Sequence, residues 1–184
     1  MALKWGREGQ FSKTYALKDD SSQHVLARMI APLVGSYQIT YGNSKVLLKM
    51  NNLGTRIPIL DEVLGRELRT ISCSFRGFYI VPKMLEWNDG RYLYIPPPSV
   101  VQGNDLPEFV YSLALKDEQG RRLMRMEWSL KKPGLVPNVA NSKAREQCLV
   151  TPEELPSKDP DFPLISGIGW ITILQLIWLD QMFV

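Results

Sequence analysis

Few residues in this chain could do chemistry unaided. His24 is the one imidazole, and Cys73 and Cys148 are the two thiols. A nucleophile–base–acid relay needs a base, so a triad would have to include His24. That residue falls beside the apolar face of a helix expected over residues 23–34, where it reads as a partly exposed structural side chain. One histidine and two distant cysteines fit no zinc spacing. The carboxylates read as solvated. Asp61, Glu62 and Glu67 have Arg66 and Arg69 as neighbours, and Asp19-Asp20 precedes a helix cap. Neither group has the isolation that raises a pKa for general-acid work. No Walker loop, GxGxxG, HExxH or GxSxG occurs. Gly167-Ile168-Gly169 sits in a tight apolar segment with no phosphate-binding helix start after it. The expectation is a protein with no catalytic residue, metal or cofactor.

Binding chemistry is better represented. Arg121, Arg122, Arg125, Lys131 and Lys132 lie on or beside one hairpin, with Lys4 and Arg7 near the start of the chain. Alternation puts Arg125 and Lys131 opposite Met124, Met126 and Trp128. Such a face suits the phosphates of anionic lipid or of nucleoprotein. Aromatic residues do not interleave with these cations, so a stacking platform and a specific nucleic-acid sequence readout are not expected. Tyr94 with Pro96, Pro97 and Pro98 forms a second candidate, a docking segment for a partner or a spacer between strands.

The elements that position these groups follow from period. Residues 37–41 and 46–50 alternate about a Gly42-Asn43-Ser44 turn and read as a hairpin. Asp61 caps a short helix expected over residues 62–68, and a long strand over 69–81 is interrupted at Gly77. Asn88-Asp89-Gly90 is a turn leading to a strand over 91–95. The clearest hairpin joins residues 109–116 to 122–130 through Asp117-Glu118-Gln119-Gly120. Thr151-Pro152-Glu153-Glu154 has the form of a capping box for about one helical turn. The expected fold class is α+β: a mainly antiparallel sheet or half-barrel of five to seven strands, one or two covering helices and an apolar C-terminal segment. The expected organisation is a basic arm over 1–20, an α+β core over 21–132, a proline-containing linker over 133–161 and an apolar segment over 162–184.

Composition bounds the class. The 184 residues are 45% apolar and 22% charged, which suits one globular domain. The net charge of +3 is split: residues 1–18 carry +3, 116–145 carry +5 and 146–184 carry −5. Two cysteines make no disulfide framework, and the start lacks an apolar signal region, so a cytoplasmic protein, or one on the cytosolic face of a membrane, is expected. Residues 162–179 carry no formal charge. Such a run needs burial in the protein's own core, in a partner or in lipid. Pro163, Gly167, Gly169 and Gln175 dilute it, and Asp159, Asp161 and Asp180 flank it where a membrane span favours basic residues. Trp170, Ile173, Leu174, Ile177 and Trp178 would form a buried helical stripe, on the sheet or as self-association anchors in a neighbouring subunit.

The order of features resembles that of matrix proteins of rhabdoviruses and related negative-strand RNA viruses. The matching features are Lys4, Arg7, Lys13 and Lys18 in the basic arm, a strand–helix–strand stretch over 37–81, Gly90-Arg91 and the Tyr94-to-proline strand, and the late hairpin. The resemblance covers roughly residues 35–130; the family's motif of two prolines, any residue, then tyrosine is not present, since Pro98 runs into Ser99. It implies a non-enzymatic structural protein, found in the virion if viral, that forms a homo-oligomer and binds membrane or nucleoprotein. Two other readings stand beside it: a small β-barrel that binds an apolar ligand or acts through carboxylates, and a membrane-anchored subunit of a larger complex.

Overall fold

The computed structural model describes residues 3–9, 12–31, 36–49, 56–76, 81–101, 108–131, 147–156 and 158–182. The strands are Leu3–Arg7 (β1), Thr14–Asp19 (β2), Val25–Ile30 (β3), Tyr37–Tyr41 (β4), Ser44–Leu48 (β5), Arg56–Asp61 (β6) and Glu67–Arg76 (β7). They continue with Val81–Glu86 (β8), Tyr92–Tyr94 (β9), Ser99–Val101 (β10), Glu108–Lys116 (β11), Arg122–Lys131 (β12) and Gln147–Pro152 (β13). A single described helix, Phe162–Met182 (α1), follows.

Each strand pairs antiparallel with its neighbour, and β13 pairs with both β12 and β1. The ring closes where β9 meets β11, with Leu93 opposite Leu115. The result is a closed barrel of twelve strands, with β10 added on the flank of β11 beyond β9. The expected half-barrel of five to seven strands with covering helices is therefore corrected. The expected helix over 23–34 contains β3, in which Ala27 and Met29 point inward while Arg28 and Ile30 point out. Residues 32–34 of that expectation lie outside the described set. The expected helix over 62–68 is a turn leading into β7. Residues 1–20, read as an arm, supply β1 and β2 in the middle of the sheet.

Period-two alternation builds an apolar lumen and a polar outer wall. In the β11–β12 hairpin, Tyr111, Leu113, Leu115, Met124, Met126 and Trp128 are buried, while Arg125 and Ser129 are exposed. The Tyr111 and Trp128 rings meet at 5.4 Å between centroids. The wall carries Lys4, Lys18, Arg28, Lys45, Lys83 and Arg125 outward. This is the reverse of a membrane-embedded barrel, whose outer band is apolar.

The helix runs through the lumen. Ile165, Ile168, Trp170, Ile171 and Ile173 are fully buried although they point in different directions around the axis. A helix apolar all round is stable only inside something. Two glycines allow the close fit: a Cβ at Gly167 would lie 2.7 Å from Ile39 Cδ1 on β4, and one at Gly169 would lie 2.5 Å from Met126 Sδ on β12. The polar exceptions are satisfied locally. Ser166 Oγ accepts from Trp5 Nε1 at 3.3 Å and donates to the Pro163 carbonyl at 3.1 Å. Thr172 Oγ1 donates to the Ile168 carbonyl at 2.9 Å. Trp170 packs edge-on to Tyr15 at 5.7 Å.

Candidate functional site: two rims of opposite charge

An up-and-down barrel sends its connections alternately to its two ends. The helix enters at the end that holds the turns at 19–25, 41–44, 61–67, 86–92 and 116–122, together with the 152–162 connection. At about 1.5 Å per residue, the stretch from Phe162 to Leu176 spans roughly 20 Å, close to the length of a five- or six-residue strand. The last helical turns leave at the opposite end, among the stretches 7–14, 30–37, 48–56, 76–81, 94–108 and 131–147.

The two ends differ in charge. The entrance-rim stretches hold thirteen carboxylates against six basic side chains, a net of −7. Among the described residues the exit-rim stretches carry six basic residues, Arg7, Lys13, Lys49, Arg56, Arg76 and Lys131, against Glu8 and Glu108, a net of +4. Six of the seven large hydrophobic side chains left exposed among the described residues also sit at the rims: Val63, Leu64 and Leu68 at the entrance, Ile30, Val100 and Val101 at the exit.

The entrance rim is held by local hydrogen bonds. Asp161 caps the helix through its carbonyl, which accepts from Ile165 N at 2.9 Å. Its side chain accepts instead from Arg69 at 2.8 Å and Arg91 at 3.1 Å, and Arg91 also holds Asp89 at 2.6 Å. Burial alone would raise the Asp161 carboxyl; the two guanidinium groups outweigh it and hold the group below the ordinary range. Burial likewise works against Asp89 and is outweighed by Arg91. Asp19 is lowered by the hydroxyl and amide of Ser21. These three carboxylates therefore keep their charge further into acid than free aspartates do. Arg69, Thr70, Trp87, Asn88 and Asp89 line a shallow depression beside the helix start.

The cations singled out by the sequence divide between the rims. Lys4 pairs with Asp20 at 2.9 Å, Arg121 with Asp117 at 2.7 Å and with Glu154 at 3.8 Å, and Arg122 with Glu153 at 2.5 Å, all on the acidic side. Arg125 pairs with Glu127 on the wall. Arg7 belongs to the exit rim, where it donates to Tyr15 Oη at 3.1 Å and lies over that ring. Lys131 ends β12 at the exit rim, its side chain outside the described set; Lys132 lies outside it altogether. Lys13, Lys49 and Arg56 are exposed at the exit rim with no ion-pair partner among the described residues. Nothing in the local sequence marks Lys49 or Arg56 as a site, because each stands alone in the chain; the pairing of β5 with β6 puts both at the exit end.

Tyr94 ends β9 with the Lys116 ammonium 5.2 Å above its ring. Pro96 is half-buried, and Pro97 and Pro98 are exposed between β9 and β10. Trp170 and Ile173 are buried in the lumen of their own barrel, and Leu174 packs partly against it. Ile177 and Trp178 lie in the helix, their side chains outside the described set. His24 is exposed on the β2–β3 turn, not on a helix. Burial pushes the Cys73 thiol up to about 11 and the Cys148 thiol higher still, so neither forms a ready thiolate. No cluster of metal-ligating side chains occurs among the described residues. Comparison of the chain with protein-family models, with curated proteins and with solved structures finds no match.

Proposed function

We propose that the protein is a non-enzymatic binding scaffold that sets its cationic exit rim against an anionic membrane surface. The observation that carries this reading is the sorting of charge between the rims: Lys13, Lys49 and Arg56 project there without carboxylate partners among the described residues, whereas Arg121, Arg122 and Arg125 are each paired with a carboxylate. Ile30 is exposed next to Lys13, whose carbonyl accepts from Ala31 N at 2.9 Å, and Val100 and Val101 are exposed elsewhere on the same rim. Aliphatic side chains interspersed with lysine and arginine suit a lipid interface better than a nucleic-acid backbone, which is met by polar and charged groups. The lumen takes no part, because the protein's own helix fills it.

Co-sedimentation with vesicles tests the reading. Binding is expected to vesicles of phosphatidylcholine with phosphatidylserine and not to phosphatidylcholine alone, and it should fall as salt is raised. Each basic side chain near an anionic surface contributes about 1 kcal/mol. The triple variant Lys13→Gln, Lys49→Gln, Arg56→Gln should therefore partition on the order of 100-fold more weakly. Equal binding to neutral and anionic vesicles, or binding to RNA with none to either vesicle, refutes it.

A further inference from the structure

The acidic rim also presents an apolar surface. Its most prominent feature is the turn between β6 and β7. Val63 is 82% exposed and Leu64 is 62% exposed at its tip, with Leu68 beside them. The tip is rigid. Asp61 Oδ1 accepts from both the Val63 and Leu64 amides at 2.9 Å, the Asp61 carbonyl accepts from Gly65 N at 2.9 Å, and Asp61 N donates to the Arg66 carbonyl at 2.9 Å. Gly65 takes the left-handed conformation, with φ of +64°, that closes the turn. Two aliphatic side chains held out on a fixed turn bury well against a partner, because little freedom is lost on docking.

The occupant is indicated by the opposite end of the same molecule. One rim is acidic with an apolar tip; the other is basic with exposed Ile30, Val100 and Val101. Each supplies what the other lacks. We propose that copies of this chain associate head to tail, the Val63–Leu64 tip and acidic rim of one docking on the cationic exit rim of the next. The two faces differ, so the contact is heterologous, and it does not stop at a dimer unless a ring closes. This inference rests on the same sorting of charge as the membrane reading, but it needs no lipid.

Light scattering and sedimentation on the full chain, without vesicles, provide the test. At low salt the mass should rise with concentration past two copies, and about 1 M salt, where screening acts within roughly 3 Å, should return monomer. Val63→Lys with Leu64→Lys removes the apolar tip and takes the net charge of the exposed 61–67 turn from −2 to zero. Lys49→Glu with Arg56→Glu reverses charge at the exit rim. Each variant alone should be monomeric. An equimolar mixture should form a one-to-one dimer and stop, because one intact entrance rim and one intact exit rim remain. A monomeric wild type, continued assembly of either variant, or a mixture that stays monomeric overturns the proposal. Vesicle binding separates the two readings, since the Val63→Lys, Leu64→Lys variant keeps its exit rim and should still bind anionic vesicles.

Discussion

Alanine substitution along the helix distinguishes a helix threaded through a barrel from one lying on a sheet. Successive helical residues turn by about 100°. Taking Ile168 as zero, Trp170 points near 200°, Ile171 near 300° and Ile173 near 140°, so the four sample the whole circumference. All four are fully buried. A docked surface helix has at least one face whose truncation costs within about 0.5 kcal/mol. Inside the lumen every face should cost. Burial of this kind sets about 2–5 kcal/mol for each Ile→Ala and about 3–5 for Trp170→Ala. The tryptophan belongs at the low end, because its buried indole N–H has no acceptor among the described residues, and removing an unsatisfied donor returns part of the loss. Urea titration followed by far-UV circular dichroism reads this directly, with midpoints compared at constant slope. The total stability of such a domain is about 5–15 kcal/mol, so single variants should stay folded while pairs approach unfolding. Four losses that follow a 3.6-residue period, with one or two positions near zero, would refute a threaded helix.

Two further outcomes follow from the packing and the helix entrance. Gly169→Val places branched methyls where even a Cβ would lie 2.5 Å from Met126 Sδ, so it should lower stability by about 1–3 kcal/mol in the same titration, whereas a loosely filled lumen would tolerate it. Asp161→Asn should cost about 1 kcal/mol at neutral pH, as expected of a partly exposed ion pair. The folded carboxyl lies below its ordinary value, so the wild-type advantage is complete above that value and should shrink as pH falls from about 4 through the lower folded pKa. An advantage that grew on acidification would contradict the pairing.

How much of this was legible in the sequence depends on length of element. The β11–β12 hairpin was readable because nine and ten residues repeat the alternation enough times to exclude a helix. β1 and β2 were not, because five or six residues with one glycine or a few charges look like a loose arm until closure gives them neighbours on both sides. β3 was misread for a related reason. Val25, Leu26, Met29 and Ile30 satisfy a helical spacing and a strand spacing together, and pairing with β2 and β4 selected the strand. Lone cations such as Lys49 and Arg56 carried no local signal for a rim. The helix start was missed too: residues 159–161 look like the end of a linker and Pro163 like a residue diluting an apolar run, yet Asp161 caps the helix and Pro163 lies in its first turn, where a proline's missing N–H costs nothing.

The charge pattern shows what block averages conceal. Residues 116–145 form one basic segment of +5, yet they run between the rims: 116–122 carries +1 at the entrance, the wall part over 123–130 is neutral, and the other +4 falls after residue 130. Taken connection by connection, the β2–β3, β6–β7 and β8–β9 turns at the entrance are negative and the β4–β5 turn is neutral. The β1–β2, β5–β6 and β7–β8 stretches at the exit are positive and β3–β4 is neutral, while the 94–108 stretch, at −2, and the β11–β12 turn, at +1, run against the trend. Alternation of sign with the period of a hairpin becomes, in an up-and-down barrel, separation of sign across the molecule. Surface pairs within one rim contribute little to stability, at most about 1 kcal/mol each. Folding alone therefore gives small reason for the sorting. A field aligned along the barrel axis does act at a distance: on the two proposals above it would orient the molecule toward an anionic surface or toward the opposite rim of another copy before contact is made, and that effect would be lost with salt while the fold is not.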